Sequence, residues 1–389
     1  MNRRTQHRDL IPGVCGRSAG ATLVLAIMLV AAVLATGSAE AQTYTTFEAP
    51  GAGTGAYQGT AGLSMNTAGA ITGAYVDANS TYHGFVRAAS GAITTFKVKG
   101  AGTGALQGAA GLSINTAGAI AGIYIDASLV YHGFVRAANG AITTFSASGA
   151  GTGVYQGTIP AGINTAGIIA GDIFYGASDA SHGFVRAVDG TITPFDVPGA
   201  GSGTHQGTFP IAINAAGTIT GTYKDANDMY HGFLRTAGGT ITKFVVKNVG
   251  AHQGTSAISI NTAGTVTGTY KDASGVSHGF VRTAAGKISV FDPPASTGTI
   301  PANINTVGVI TGTYTVAGGG YQGFERAADG TITTFVAPGS SPGGWLAFLM
   351  GPSHGLPLGT AGLSINTAGA IAGFYSDTSD VYHGFLRAP

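Results

Sequence analysis

A five-residue run, His-Gly-Phe-x-Arg, returns through this chain at intervals that only a repeat architecture produces. It stands at His83 to Arg87, His132 to Arg136, His182 to Arg186, His231 to Arg235, His278 to Arg282 and His383 to Arg387. Gln322 opens a seventh copy that ends at Arg326. Successive copies lie 49, 50, 49, 47, 44 and 61 residues apart. Such a period is one supersecondary unit, which hides its apolar surface only by stacking on its neighbours.

The second unit gives the pattern. Gly111 to Asn115, Ala119 to Ile125, Tyr131 to Ala137 and Ala141 to Ser146 are short segments rich in Ile, Tyr and Phe. Between them stand the turn signals Thr116-Ala117-Gly118, Asp126-Ala127-Ser128 and Asn139-Gly140, the last a two-residue hairpin signal. No segment carries a helical period. Four strands joined by tight turns make an antiparallel meander. Ile-Asn-x-x-Gly marks the first strand at Asn115, Asn164, Asn214, Asn261, Asn305 and Asn366, with Met65-Asn66 in the first unit. A fourth-strand Phe closes six units, at Phe96, Phe145, Phe195, Phe244, Phe291 and Phe335. The seventh such Phe is Phe47, near the start of the chain. The chain therefore begins with a fourth strand and ends with a third. That permutation predicts an all-β, seven-bladed β-propeller of four-stranded antiparallel blades, closed by the N-terminal strand, because an open row would leave bare edges. On the third strand His, Phe and Arg share one face, and the Gly between them lets an aromatic approach the backbone.

Ahead of the repeats lies a targeting segment. Arg3, Arg4, Arg8 and Arg17 precede the apolar run Ala21 to Ala35, and Ala39-Glu40-Ala41 is a small-x-small cleavage site. Residues 1–41 read as a signal peptide, with the single propeller domain spanning 42–389. The run is too short for a membrane span. The only cysteine, Cys15, falls in the leader, so no disulfide staples the domain. Without the leader there remain 14 Lys+Arg against 15 Asp+Glu, which offers nucleic acid no basic face. A secreted or cell-envelope monomer follows.

Ile-Asn-x-x-Gly-x-Ile-x-Gly-x-Tyr followed by His-Gly-Phe-x-Arg resembles the HAF-type repeats of exported bacterial proteins, over essentially all of Thr43 to Pro389. Those repeats usually read His-Ala-Phe and end in an aromatic residue; here Gly replaces Ala and Arg follows. The resemblance implies an extracellular or envelope repeat protein and transfers no functional residue.

Each candidate site has a structural reading beside the functional one. The six histidines could ligate metal, but equivalent positions in a ring are spread too far apart for one tetrahedral ion. Hydrogen bonding within the unit is the better reading, and Gln322 fits it. The arginines Arg87, Arg136, Arg186, Arg235, Arg282, Arg326 and Arg387 are expected to pair with the turn aspartates Asp77, Asp126, Asp225, Asp272 and Asp377. Those aspartates could instead bind calcium. The best cluster, Asp225-Ala226-Asn227-Asp228, lacks the sharp-turn Gly and the distal Glu of the helix-loop-helix site, so no cofactor is expected. Gly51-Ala-Gly53-Thr-Gly55 and its copies lack the strand-to-helix context of a dinucleotide loop.

The ligand candidates lie in those same connections: Tyr57-Gln58, Tyr155-Gln156, His205-Gln206 and His252-Gln253, with Leu106-Gln107 at the same place. An aromatic or imidazole beside an amide suits stacking on a sugar or peptide; alternatively the ring packs over the unit and Gln caps backbone groups. A longer connection, about residues 339–358, carries Trp345, the only Trp, as a lid or partner contact. Acids off the repeat pattern are Asp172, Asp179, Glu325 and Asp380, and nothing pairs them. A non-catalytic binding or structural module presenting a loop face to a glycan or protein is expected; the alternative is a secreted hydrolase acting on carbohydrate.

Overall fold

The computed structural model describes residues 42–174, 180–247, 254–341 and 359–389, and the backbone of 345–347 and 355–357. Residues 1–41, expected to be a signal peptide, lie outside the described residues. Each repeat is a four-stranded antiparallel meander, as the residue pattern predicts. In the second unit Gly108–Ile114, Ile120–Ile125, Tyr131–Arg136 and Ile142–Phe145 pair in sequence order. No helix occurs among the described residues. In the last unit Thr360–Ile365, Ile371–Ser376 and Tyr382–Arg387 pair in order, and the fourth partner is Tyr44–Phe47 from the other end of the chain. Tyr44 stands opposite Arg387 and Phe47 opposite Gly384. Successive units touch where a first strand begins: Gly108 bridges Tyr82, Gly157 bridges Tyr131, and Gly59 bridges Tyr382.

The repeated pentapeptide is an inter-unit joint. The fourth-strand Phe of a unit lies over that unit's own third-strand Gly; a Cβ at Gly183 would come within 2.7 Å of the Phe195 ring. The same Phe meets the next unit edge-on, as with Phe195 and Phe233 (6.2 Å) or Phe47 and Phe85 (6.0 Å). Above it sits the next unit's Arg: Arg235 lies 4.7 Å from the Phe195 ring centre and Arg87 5.1 Å from Phe47. Phe85, Phe134, Phe184, Phe233, Phe280, Phe324 and Phe385 are fully buried. Each fully buried Phe contributes roughly 1.5–3 kcal/mol, and each cation–π contact about 0.5–2 kcal/mol.

Two expectations need correction. The arginines do not pair with the turn aspartates. Among the described residues only Arg387 has a carboxylate ion-pair partner, Glu325 at 2.7 Å. The others place the guanidinium on the preceding unit's Phe and donate to a neighbouring carbonyl, as Arg326 does to Ala327 O at 3.2 Å. A ring face and a carbonyl suffice for a planar, weakly hydrated cation, and burial lowers the Arg87 pKa without reversing its charge. The Asn139-Gly140 turn is not a two-residue hairpin either. Ala137 N bonds Ala141 O, Gly140 N bonds Ala137 O, and only Gly140 takes positive φ (94°). It is a three-residue loop with Gly in the left-handed position, the geometry that follows a type I turn.

The first strands line a central cavity, and they would be bare inner edges without help. Two tiers of side chains cover them. In the asparagine tier, Oδ1 closes the local turn while Nδ2 donates to the next unit's Asn carbonyl: Asn66 to Asn115 O at 3.1 Å, Asn115 to Asn164 O at 3.0 Å, and onward to Asn366 O. Aspartate could supply the first bond but not the second. In the serine tier, Ser64 Oγ accepts from Ile114 N at 3.2 Å, and Ser364 Oγ accepts from Met65 N at 3.0 Å. A β-bulge in each first strand, such as that between Gly62 and Ser64, accompanies this change of direction.

Candidate functional site

The connections between units and the turns between second and third strands meet at one end of the molecule. Tyr57 N donates to Asp380 O (2.8 Å), Leu106 N to Ser80 O (2.9 Å) and Tyr155 N to Leu129 O (2.8 Å). Tyr57, Leu106, Tyr155 and His205 all have positive φ, between 58 and 67°. Their turn partners Ser80, Leu129 and Asp380 have it too. Left-handed backbone is uncommon for residues other than Gly and costs about 1–2 kcal/mol each. The chain uses Gly at most of its other left-handed positions. Tyr57 and Leu106 are 46% and 47% exposed, His205 is exposed, and Tyr155 is half-buried with its ring 6.1 Å from Tyr131.

The neighbouring glutamines turn inward. Gln58 Oε1 accepts from Gly55 N at 2.9 Å and its Nε2 donates to Ala78 O at 3.3 Å. Gln107 repeats both bonds with Gly104 N and Ala127 O. Gln156 takes Gly153 N, and Gln206 takes Gly203 N while donating to Asp228 Oδ1. Gly53 is required here, since a Cβ would collide with the Gln58 amide. Gln58, Gln107, Gln156 and Gln206 thus clamp the loop that displays the residue before them. His252 and Gln253 lie outside the described residues. Trp345–Ala347 pairs antiparallel with Gly355–Pro357, so the long connection holds a short two-stranded element.

The histidines bond within their own units, as expected: His83, His132, His231, His278 and His383 take the turn aspartates, and His182 Nδ1 meets Asp196 at 2.9 Å. His83 Nε2 lies 2.9 Å from Asp77 Oδ2, while Asp77 Oδ1 accepts from Asn79 N and Thr81 N. Burial would raise the Asp77 pKa, but the His83 and amide hydrogen bonds outweigh it and hold the carboxyl below its usual range. The rings of His83, His132, His231, His278 and His383 each stack on a second-strand Tyr, as His132 does on Tyr124 at 4.7 Å, whereas His182 stands opposite Ile173. In the sixth unit the turn Val316–Gly320 has no Asp, and Gln322 accepts from Tyr314 OH at 2.6 Å instead. His278 is flanked on both ring nitrogens, by Asp272 at 3.3 Å and Asp292 at 2.7 Å. Burial opposes protonation there, yet the two carboxylates prevail and raise its pKa.

In the Asp225 cluster, Oδ1 serves the Asn227 and Met229 amides and Oδ2 faces His231 at 2.9 Å. Asp228 pairs with Lys224 at 2.9 Å. Of the acids off the repeat pattern, Glu325 is engaged with Arg387, and Asp380 is half-buried, its carbonyl accepting from Tyr57 N. Asp172 is buried, bonded by Ser181 Oγ of the adjacent strand at 3.3 Å, and burial pushes its pKa up to about 7. Asp179 lies outside the described residues. The left-handed turn residues Ser80, Leu129 and Asp380 carry no sequence signal beyond standing in an Asp-x-x turn.

No protein-family model matches the chain, and no curated protein matches its sequence. Among solved structures, a lectin from Burkholderia pseudomallei aligns at TM-score 0.49 and 10% identity, covering 86% of this chain and 99% of that one. TolB from Acinetobacter baumannii aligns at 0.44 and 11%, covering 82% and 80%. A lectin from Aleuria aurantia, described as a six-bladed β-propeller that recognises fucose, aligns at 0.38 and 12%, covering 84% and 90%. At these identities and scores the likeness assigns this chain neither a ligand nor an activity. Among the described residues no helix is long and apolar enough to cross a membrane.

Proposed function

We propose that this chain is an exported, seven-bladed β-propeller closed by its N-terminal strand, acting as a non-catalytic binding module that docks a glycan on its loop face. The reading rests on one observation above others. At the same place in four connections the chain sets Tyr57, Leu106, Tyr155 and His205 in left-handed backbone where Gly would be easier. A strained, exposed and clamped side chain is a reason to look for a ligand. Aromatic rings supply stacking area with few rotors to freeze. Pairing of Tyr44–Phe47 with Tyr382–Arg387 supports the closed ring, and the leader-like residues 1–41 support export.

The test is a glycan array followed by calorimetry on each hit. Tyr57→Gly, Leu106→Gly and Tyr155→Gly should each weaken binding at least several-fold. Tyr57→Gly and Leu106→Gly should be as stable as the parent or up to about 1–2 kcal/mol more stable, since Gly relieves the left-handed strain, whereas Tyr155→Gly also gives up the packing of its half-buried ring beside Tyr131. No glycan bound, or binding unchanged across the three variants, would remove the proposed face. Turnover of a bound glycan would favour a hydrolase.

A further inference from the structure

The serine tier around the central cavity has a gap. Its positions are Ser64, Ser113, Ser259 and Ser364, with Asn303 serving the same role for Ile365 N at 3.2 Å. In the third and fourth units the residues are Gly162 and Ala212. Neither has a side-chain acceptor, so the Ile213 and Ile260 amides lack what their five counterparts receive. The backbone shows where the missing group would sit. A Cβ built at Gly162 stands 3.4 Å from Ile213 N, an ordinary contact, and Gly162 does not have the positive φ that would demand glycine. The gap opens into a cavity of about 300 Å³ whose lining contains no titratable side chain.

What a serine does in this tier defines what could replace it. Ser364 Oγ accepts from Met65 N at 3.0 Å and reaches Met65 O at 3.5 Å. A hydroxyl both accepts and donates, and it matches an inner-edge residue that turns its N–H and C=O to the same side. An ion matches only one of the two, and the uncharged lining gives it no counter-charge. We propose that the Gly162–Ala212 flank of the central cavity binds a small neutral polyol, whose hydroxyls take the places of the two missing serine hydroxyls against Ile213 and Ile260. The site is separate from the loop face and does not depend on a glycan binding there.

The probe is 3-bromo-1,2-propanediol, soaked into crystals of the mature chain and followed by bromine anomalous scattering. A bromine peak inside the cavity, with hydroxyls at the Ile213 and Ile260 amides, is the expected result. Ala212→Ser alone, and Gly162→Ser with Ala212→Ser, restore the tier and should reduce and then abolish the peak. Saturation-transfer NMR with the same diol should lose its signal in the double variant, while a raised melting temperature shows that variant folded. Three outcomes would overturn the site: no bromine in the cavity, only water at the two amides of the parent, or equal occupancy in parent and double variant.

Discussion

At the residue scale, each letter of the repeat has a separate physical role. His ties the second turn through Asp, Gly makes room for a ring, Phe fills the joint, and Arg covers the preceding ring. Gly279→Ala tests the room that Gly leaves. Its Cβ would lie 2.7 Å from the Phe291 ring, which is held by Phe324 and Arg326 and cannot step aside. The variant should lose about 1–3 kcal/mol in thermal unfolding; an unaffected melting temperature would mean the ring is loose. Asp172 makes a pH test. Its folded pKa, about 7, is above the ordinary 3.8, so its stabilising share is complete below pH 3.8 and is lost as pH rises through about 7. Asp172→Asn should therefore gain on the parent as pH rises from about 4 to about 7, by roughly 4 kcal/mol in all. His278 runs in the same direction. Its raised pKa means stability present below 6.5 and lost above, so His278→Gln should cost most near pH 5 and least above pH 8. A pH-independent difference would show that Asp272 and Asp292 do not charge it.

At the element scale, the asparagine tier joins inner strands that have no sheet neighbour on one side. Asn164→Leu keeps the size, removes the donor to Asn214 O and opens the local turn held by the Ala166 and Ile168 amides. Buried acceptors and donors left unpaired cost about 1–3 kcal/mol, and Asn164→Asp should recover only the turn. Equal stability of the two variants would refute the division of labour. Much of this element structure was legible in the sequence, because strand, turn and closing Phe recur with one period. The partner choices were not. Arg87 meets Phe47, forty positions back and in another unit, whereas charge alone points Arg to the aspartates that His takes. The display position was half legible. Aromatic-Gln marked the loop, but nothing in Gly55-Ala56-Tyr57-Gln58 announces that Tyr57 is left-handed or that Gln58 points inward.

At the scale of the whole molecule, the decisive question is whether the two chain ends lock each other. Tyr44–Phe47 forms four residue pairs with the Tyr382–Arg387 strand, and Ala388 N donates to Thr43 O at 2.9 Å. Phe47 also fills the socket made by Gly384 of the last unit and by Phe85 and Arg87 of the first. One side chain thus joins first and last units, in the place that Phe96 and its equivalents fill elsewhere. Removing residues 42–50 should cost the burial of Phe47, roughly 1.5–3 kcal/mol, and an Arg87 stacking contact of about 0.5–2 kcal/mol. It should also bare the Tyr382–Arg387 edge, which would invite pairing between copies. The expected result is a lower melting temperature with concentration-dependent association in sedimentation velocity. Phe47→Ala alone keeps the strand and should lower stability without association, which separates the socket from the edge. A deletion variant that melts with the parent and stays monomeric would mean that the ends do not close the ring.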